Sequence, residues 1–411
     1  MVECWLPYGK TEVYVSVPLR NLVGTVEPDR GQPSPDPKRA ILESLQSPIE
    51  SRALGDLAKT GAKAAVAIDG TMTPFLATSA LSAVVETLLR SNIPADNISI
   101  VVGNGLRERS NQELTAAIQA SEGLQGVGVL EHTRDASNFT LMGTTSRGTE
   151  VKISSPFADA DVRIAIGEVM VDHFSGLRGA HSTVLPALSG KATIAKNRRI
   201  SLEEEVAPGV IEGNAVYSDT VEAARMAKVD LALNLVTNGK GDLLKAFSGD
   251  IDKALEEAVK ELGDLYRVKA EANADIIVVS AGGSRFDFDL YNSVWALNSV
   301  APIAKKGATI VLLAECPEGL GADGLSALSQ VDTLSELRRR FMLGARAVYL
   351  IKTTLRRNEV ILVSALPGYI AEPLGFTVDR TANEALKRLE GRRSKRTLVV
   401  TNGCSTIPFV G

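Results

Sequence analysis

Two of the three histidines of this chain lie close together in one Gly- and Ser-rich segment. They are His173 and His181, within the run Val-Asp-His-Phe-Ser-Gly-Leu-Arg-Gly-Ala-His-Ser-Thr. Histidine is the side chain most easily tuned to donate or accept a proton near neutral pH, and its imidazole is also a common metal ligand. A structural role, in which the ring bonds a nearby carbonyl group, stays open for both residues. This segment is the strongest candidate site in the sequence.

A carboxylate and an arginine extend the set of candidate site residues. Asp69 ends an apolar run and precedes Gly70-Thr71, so its carboxylate can face a binding site or cap the next helix. Arg107 lies near the expected start of the helix that includes Gln112–Ala120. There a guanidinium and the free N–H groups of the helix can hold an anion together.

Two other polar segments are predicted to be solvated surface. His132 stands in the charged run Glu-His-Thr-Arg-Asp, and Lys196-Asn197-Arg198-Arg199 is a basic run of the kind usually found on a solvated helix face. The common GxSxG, HExxH and GxxxxGK[ST] signatures are absent. Hydrolase and nucleotide-binding chemistry by those routes is therefore disfavoured.

The elements that position these residues are short apolar runs alternating with helical stretches. Strands that alternate with helices form a mainly parallel sheet with both faces covered, so the fold class is α/β. The predicted strands are Ala64–Ile68, Ile98–Val102, Val162–Ile166, Leu231–Val236, Ile276–Val279, Ile310–Ala314, Val360–Val363 and Leu398–Val400.

Several of these runs end in Gly-rich or Asx-rich corners, which is where open α/β sheets bind ligands. One continuous sheet would be large for 411 residues, so we expect two α/β lobes with a cleft between them. A charged helical stretch ends near residue 268 and a new strand begins at Ala274. The predicted domains are therefore residues 1–268 and 269–411.

Composition narrows the class of partner. Lys and Arg total 45 against 49 for Asp and Glu, so the net charge of −4 does not favour nucleic-acid binding. The apolar runs are shorter than the roughly 20 residues that a membrane-spanning helix needs, and no membrane partner is expected. Three distant cysteines and an N-terminus without a signal-peptide pattern favour the cytoplasm. A homo-oligomer is compatible with the sequence.

The chain resembles the nickel-dependent lactate racemases, which use a nickel-pincer nucleotide to invert 2-hydroxy acids. The resemblance implies two α/β lobes that enclose cofactor and substrate. It is carried nearly end to end by Leu6-Pro7-Tyr8-Gly9-Lys10, the Asp69-x-Thr71 corner, Gly105, His173-Phe174, Val184-Leu185-Pro186, Asn197, Ala223-Ala224-Arg225, Phe247-Ser248-Gly249-Asp250, Gly282-Gly283 and Leu290-Tyr291.

Several working residues of the family are exchanged in this chain. In the family, the Asp-x-Thr corner is followed by an arginine that grips the substrate carboxylate, and here Met72 stands at that position beside Thr71. Arg107 stands where the family has one of its two catalytic histidines, and His173 matches the other. The resemblance therefore implies one acid/base residue and a changed substrate grip.

The residues that hold the cofactor in the family are exchanged as well. Ser182 stands at the position of the lysine that tethers the pincer covalently, and His181 replaces the preceding arginine. The nickel-ligating histidine becomes Arg198, after Asn197. No covalent tether can form on Ser182, so a pincer nucleotide would be bound non-covalently, with Ser182, Asn197 and Arg198 at its site and His181 as replacement metal ligand or base. The alternative is no cofactor.

The exchanges extend to the C-terminal domain, where Asn292 and Trp295 stand in place of a glutamine and a lysine of the family. Three functions follow as hypotheses. The first is a diverged 2-hydroxyacid racemase or epimerase acting on a hydroxy or sugar acid, with His173 as acid/base, Asp69 as an orienting residue, and Arg107 and Arg178 gripping the substrate.

The second hypothesis is a relative that binds an anionic small molecule through Arg107, Arg178 and Arg198, without catalysis or with different catalysis. An arginine stays protonated at physiological pH, which suits anion binding and makes it a poor base and a poor nickel ligand. The third is a structural subunit whose cleft is filled by Met72 and Trp295. These two side chains could equally line the cleft as an apolar wall.

Overall fold

The computed structural model describes residues 1–28, 31–57, 61–107, 109–390 and 395–411. Its strands are β1 (Val2–Tyr8), β2 (Thr11–Val17), β3 (Leu22–Val26), β4 (Ala64–Asp69), β5 (Ile98–Asn104), β6 (Gly128–Thr133), β7 (Phe139–Thr144), β8 (Glu150–Ser154), β9 (Val162–Val169), β10 (Val171–Asp172), β11 (Gly176–Leu177), β12 (Leu231–Thr237), β13 (Leu243–Gly249), β14 (Arg267–Lys269), β15 (Ile276–Ser280), β16 (Thr309–Leu313), β17 (Glu359–Val363), β18 (Thr377–Asp379), β19 (Thr397–Val400) and β20 (Ile407–Phe409).

The helices follow most of the predicted helical stretches. They are α1 (Pro37–Gln46), α2 (Leu54–Leu57), α3 (Pro74–Arg90), α4 (Gln112–Ala120), α5 (Ser155–Ala158), α6 (Ala180–Ser182), α7 (Lys191–Glu203), α8 (Ala215–Met226), α9 (Lys253–Leu262), α10 (Leu290–Ser293), α11 (Trp295–Val300), α12 (Asp323–Ala327), α13 (Leu334–Arg339), α14 (Ala345–Leu355), α15 (Gly368–Ala371) and α16 (Ala382–Glu390). None of the helices in these described ranges is long and apolar enough to span a bilayer.

The chain divides into two compact units. The central unit comprises Arg30–Asp264, and the terminal unit combines Met1–Asp29 with Leu265–Gly411. The predicted ranges, 1–268 and 269–411, differ from this division in residues 265–268 and in the first 29 residues. Those residues join the terminal unit because β3 pairs in parallel with β19, and because β1 and β2 contribute Leu6 and Val15 to the same core as the β15 residue Val278.

The central unit is built on a six-stranded sheet in the order β13-β12-β9-β4-β5-β6. All neighbouring strands are parallel except the β12–β13 pair, which confirms the α/β class. Every residue of β4 is buried, as expected for a strand covered by helices on both faces. Helix α3 starts at Pro74, whose missing N–H is tolerated in the first turn, and it buries Leu76, Ala80, Val84 and Leu88 at helical spacing.

The terminal unit holds a second six-stranded sheet, in the order β18-β17-β16-β15-β19-β3. All of its neighbouring pairs are parallel. Strands β15 and β16 are fully buried, so their sequences are continuous apolar runs and not alternating ones. The two units thus have the same architecture.

The segment after β9 folds back over the end of its own strand. The backbone N–H of Arg178 donates to the carbonyl oxygen of Met170 at 2.8 Å, and the N–H of Ala180 donates to Asn234 Oδ1 at 2.9 Å. A Cβ atom on Gly167 would lie 2.2 Å from the carbonyl carbon of Gly179. Glycine at position 167 therefore permits the close approach that brings the histidine segment to the end of the sheet.

Candidate functional site

The corner after β4 is organised by the carboxylate of Asp69. Asp69 Oδ1 accepts hydrogen bonds from the backbone N–H and the hydroxyl of Thr71, at 2.8 and 2.7 Å. Helix α3 begins further on, after Thr73, whose side chain makes no capping bond. The sequence allowed Asp69 either to cap the helix or to face a site. In the structure Asp69 Oδ1 stabilises the turn, and Asp69 Oδ2 binds a residue from another element.

That partner is Arg178. Its Nη2 atom donates to Asp69 Oδ2 and also lies 3.3 Å from Thr71 Oγ1. The arginine side chain is 12% exposed. Within the described parts of the chain, Arg178 Nε and Nη1 make no hydrogen bond, so one side of the guanidinium is anchored and the other keeps its donors for a ligand.

Further carboxylates and one further guanidinium act on the Asp69–Arg178 pair through their charges. Burial acts to lower the pKa of Arg178, but the charges of Asp69, Asp172 and Glu168 outweigh it and raise that pKa. Burial acts to raise the pKa of Asp172, but Arg198 and Arg178 outweigh it, with help from the N–H groups of two neighbours, and the pKa falls to about 2. Asp172 is therefore ionised at any physiological pH.

A small recess, partly open to solvent, lies against Arg178. Its walls combine charged, hydroxyl and apolar groups, from Asp69, Thr71, Met72, Gly167, Glu168, Met170, Arg178, Gly179 and Thr183. Met72 is buried in the core of the central unit and forms part of the wall. The recess therefore brings polar and apolar groups together beside the guanidinium.

Glu168 is a site residue that was not among the sequence candidates. It is buried at the end of β9, and its Oε1 accepts a hydrogen bond of 2.5 Å from Thr237 Oγ1 on β12. The Gly167-Glu168 corner was recognisable as a strand end in the sequence. Its carboxylate could not be assigned to the site because its neighbours come from other strands.

His173 lies in the tight turn between β10 and β11 and is buried. Asp172 Oδ1 closes this turn by accepting the N–H groups of Phe174 and Ser175, at 2.9 and 2.7 Å. The same hairpin carries Arg178 just beyond β11. His173 and Arg178 are therefore fixed on one small element.

His181 is the more deeply buried histidine, at 1% exposure. Burial lowers its pKa to about 4, so the ring is neutral at physiological pH. Its Nε2 lies 3.3 Å from the hydroxyl oxygen of Ser182, and its ring meets the Tyr217 ring edge-on at 5.4 Å. His181 Nδ1 has no hydrogen-bond partner among the described residues.

The basic run on α7 is buried at two positions, which corrects the prediction of a solvated face. Arg198 is 3% exposed, its guanidinium carbon lies 4.3 Å from the centre of the Phe174 ring, and its Nη1 donates to Asn197 Oδ1 at 3.0 Å. Asn197 in turn donates to Asp219 Oδ2 at 2.8 Å. The run Lys196–Arg199 was misleading because only one side of α7 faces solvent.

His132 is also buried, and the prediction of a solvated surface residue was wrong. Its Nε2 lies 3.4 Å from the carbonyl oxygen of Ser189, and burial lowers its pKa to about 4. Its strand, β6, is at the edge of the sheet, but the ring packs edge-on against Phe139 at 5.4 Å. His132 is a core residue.

Arg107 lies in the turn after β5 and is half-buried. Its backbone N–H donates to the carbonyl oxygen of Asn104 at 2.9 Å, and the N–H of Gly105 donates to Ala187 at 2.9 Å. Helix α4 spans the predicted Gln112–Ala120, and its N-cap is Asn111, whose Oδ1 accepts the N–H of Leu114. Asn104 also contacts the N-cap, because its Oδ1 accepts the N–H of Asn111 at 3.3 Å. The anion site expected between Arg107 and α4 stays a prediction.

The remaining candidates, Asn292 and Trp295, belong to the terminal unit. Asn292 donates to Asp289 Oδ1 from its backbone N–H and from Nδ2, at 2.8 and 2.9 Å. Trp295 is buried and packs edge-on against Tyr291 at 6.1 Å between ring centres. Within that unit, both side chains are packed on α10 and α11.

The fold and the site define a two-unit α/β protein with a buried arginine–carboxylate cluster beyond the ends of the strands. The lactate racemase N-terminal domain matches residues 8–209, and the lactate racemase C-terminal domain matches residues 268–407. The chain belongs to the lactate racemase family.

Curated relatives cover the whole chain. It is 24% identical to a lactate racemase of Thermoanaerobacterium thermosaccharolyticum, with 99% of both chains covered. It is 25% identical to a lactate racemase of Lactiplantibacillus plantarum, over 97% of this chain and 98% of the relative.

Solved structures share the fold. The lactate racemase apoprotein from T. thermosaccharolyticum superposes with a TM-score of 0.82 at 22% identity, covering 99% of this chain and all of the other. A protein from Thermotoga maritima superposes with a TM-score of 0.67 at 13% identity, over 92% of this chain. These likenesses support the fold alone.

The residues at the positions that hold the nickel-pincer nucleotide in this family do not fit that group. Ser182 has no amine for a covalent tether, and Arg198 has no lone pair for nickel. Arg198 is held in place by Phe174 and Asn197. The described residues contain no group of three or more His, Cys, Asp or Glu side chains arranged to hold a metal ion.

Proposed function

We propose that this chain is an isomerase, a racemase or epimerase, that binds the carboxylate of a small hydroxy or sugar acid on Arg178. The main support is that Arg178 donates hydrogen bonds to Asp69 and Thr71. In the family resemblance, the guanidinium that grips the substrate follows this same corner, at the position of Met72. The corner therefore keeps a guanidinium, supplied from the histidine segment.

The anchored arginine has the right donors for a carboxylate. Nη2 is engaged by Asp69 and Thr71, which orient the plane of the guanidinium. Nε and Nη1 remain, and each can donate a charge-assisted hydrogen bond to a carboxylate or hydroxyl oxygen of a ligand. Because Asp69 neutralises the arginine, the recess can hold the pair buried without a large penalty for an uncompensated charge.

His173 is the proposed acid/base residue. Support comes from its place in the turn that also carries Asp172, on the hairpin that leads directly to Arg178. Glu168 is a further carboxylate in the recess wall. The recess holds both acidic and hydroxyl groups for the hydroxyls of the substrate, and Met72 and Met170 provide apolar contact for its carbon chain.

Binding without inversion is the second candidate, and Arg198 favours it. A permanently charged guanidinium stands at a position where the resemblance implies a metal ligand, and it cannot move a proton. On this alternative, Arg178 and Arg198 bind an anionic small molecule, with Arg107 as the third arginine. The three cysteines are buried and form no disulfide, which supports a cytoplasmic location under either candidate.

The experiment measures binding and inversion separately. Glycolate, the two lactate enantiomers, gluconate and 2-ketogluconate are titrated calorimetrically, and the mixtures of the chiral acids are then analysed by chiral chromatography. We expect Arg178→Ala to weaken the binding of the best acid by roughly 10- to 100-fold, since charge-assisted hydrogen bonds are worth about 1.5–3 kcal/mol. Arg178→Lys keeps the charge and loses the fork, so it should fall between.

A matched control is Arg199→Lys, because Arg199 is an exposed arginine on α7 that pairs with Glu203 at 2.9 Å. This variant should bind the acid as the wild type does. Binding that is unchanged in Arg178→Ala would refute the role of Arg178. Binding without inversion in the wild type would leave the second candidate. Inversion that His173→Gln does not change would refute the role of His173.

A further inference from the structure

At the position where the family attaches its cofactor covalently, this chain has the hydroxyl of Ser182 beside the neutral ring of His181. Ser182 is buried, and its Oγ lies 3.3 Å from His181 Nε2. Neither side chain has an amine that could form an amide bond to a carboxylic or thiocarboxylic group. A covalent link of the family's kind has no attachment point at this position.

Arg198, a permanently charged side chain, occupies the position that the resemblance assigns to a metal ligand. The guanidinium of Arg198 is stacked on Phe174, bonded to Asn197 and attracted by Asp172, whose acidity it increases. A guanidinium at this place repels a divalent metal ion and offers it no electron pair. It also supplies positive charge where the family holds a metal.

The burial of Arg198 argues against a position that has merely lost its role. Its Nε is buried with no hydrogen-bond partner among the described residues, and a buried donor without an acceptor is costly to keep. An apolar side chain of similar size would fill the same space at lower cost. Because the unused Nε–H of Arg198 is costly for the folded protein, we infer that it serves to bind a ligand.

We propose that this chain takes up neither nickel nor the pincer nucleotide of its family, and that Arg198 replaces the metal as a fixed cation beside the substrate site. The inference concerns the site of the proposed function. It depends only on the residues that would hold the cofactor. A measurement of metal content therefore tests this inference, and a measurement of acid binding tests the proposed function separately.

If the protein is also the isomerase proposed above, working without the nickel-pincer nucleotide limits the substrates that it can invert. The hydrogen on the carbon of a plain 2-hydroxy acid is a poor acid, so a base alone does not remove it. A carbonyl group next to that carbon accepts the electron pair when the C–H bond breaks, and the proton moves to the base. The configuration is inverted when a water molecule or a second acid then delivers a proton to the opposite face of the planar enolate. The substrate class is then a sugar acid that carries a carbonyl beside the inverted carbon.

The test uses the full chain produced in a host that also makes the pincer nucleotide. Nickel is counted by elemental analysis, and intact mass is measured under native and denaturing conditions. A lactate racemase from Lactiplantibacillus plantarum, produced in parallel, verifies that the host supplies the cofactor. Arg198→Lys is the charge-conserving control, and the double variant Ser182→Lys with Arg198→His returns the family's tether and ligand types.

We expect the wild type and Arg198→Lys to carry no nickel above the background and to have the mass of the polypeptide alone. The double variant should gain nickel or added mass relative to both. Stoichiometric nickel or a bound nucleotide in the wild type would overturn the inference, whatever the double variant does. Unchanged binding of the best acid by Arg198→Met would overturn the assignment of Arg198 as its fixed cation.

Discussion

Two neighbouring regions of the central unit have diverged from the family in opposite ways. At the Asp69 corner, the arginine implied at position 72 is absent, but Arg178 brings a guanidinium to the same carboxylate. Around Ser182 and Arg198, the exchanged residues have different chemistry from the ones they replace. With the roles proposed above, the residues that bind the substrate and those that hold the cofactor have changed independently of each other within one scaffold.

Removing the carboxylate of Asp69 should have the largest effect on the comparison. Asp69→Ala leaves Arg178 buried without its partner, and breaking such a pair costs about 3–5 kcal/mol. We expect the free energy of unfolding, measured by urea denaturation, to fall by an amount in this range. Asp69→Asn keeps the oxygen that accepts from Thr71 and should fall less. Equal losses would show that the charge of the pair contributes nothing.

The neutral His181 gives the second largest effect, through pH. Its pKa is lowered from 6.5 to about 4 in the folded state, so the unfolded chain binds the proton more tightly. The stability is therefore complete above pH 6.5 and falls as the pH decreases towards 4, by about 3 kcal/mol.

His181→Gln should remove this part of the pH dependence, as monitored by thermal unfolding between pH 4 and 7. His132 is the matched control, because burial also lowers its pKa to about 4 and it lies on β6, outside the segment that carries Arg178. His132→Gln should flatten the same pH range by a similar amount without a change in acid binding. A His181→Gln profile identical to the wild type would contradict the burial of a neutral ring.

Asp172 links the two regions and gives the smallest effect. Its pKa is lowered from 3.8 to about 2, so its contribution to stability is complete above pH 3.8 and is lost as the pH falls through 2. The shift corresponds to about 2 kcal/mol. Asp172→Asn should flatten the stability profile between pH 4 and 2. No difference from the wild type in that range would mean that Arg178 and Arg198 do not share this carboxylate.

Much of the fold could be predicted from the sequence because its strands are fully buried. Their continuous apolar runs identify β4, β9 and β16 to within three residues at either end. The place of β3 could not be predicted. It is a short strand with a glycine, and its parallel partner, β19, is separated from it by most of the chain.

The site residues could be predicted by type but not by contact. The histidine segment and the Asp69 corner were identifiable from composition and position. The Asp69–Arg178 bond joins residues 109 positions apart, and no local pattern indicates it. Arg198 looked like a surface residue because burial of an arginine depends on Phe174 and Asp172, which come from another element.

The most direct test of the account is a calorimetric titration of nickel-free wild type, purified with a chelator, against the same preparation of Arg178→Lys. The ligand is the best acid of the panel. The account predicts that the wild type binds the acid without metal and that the lysine variant binds it more weakly. Binding that appears only after nickel is added, or that is equal in both proteins, would contradict it.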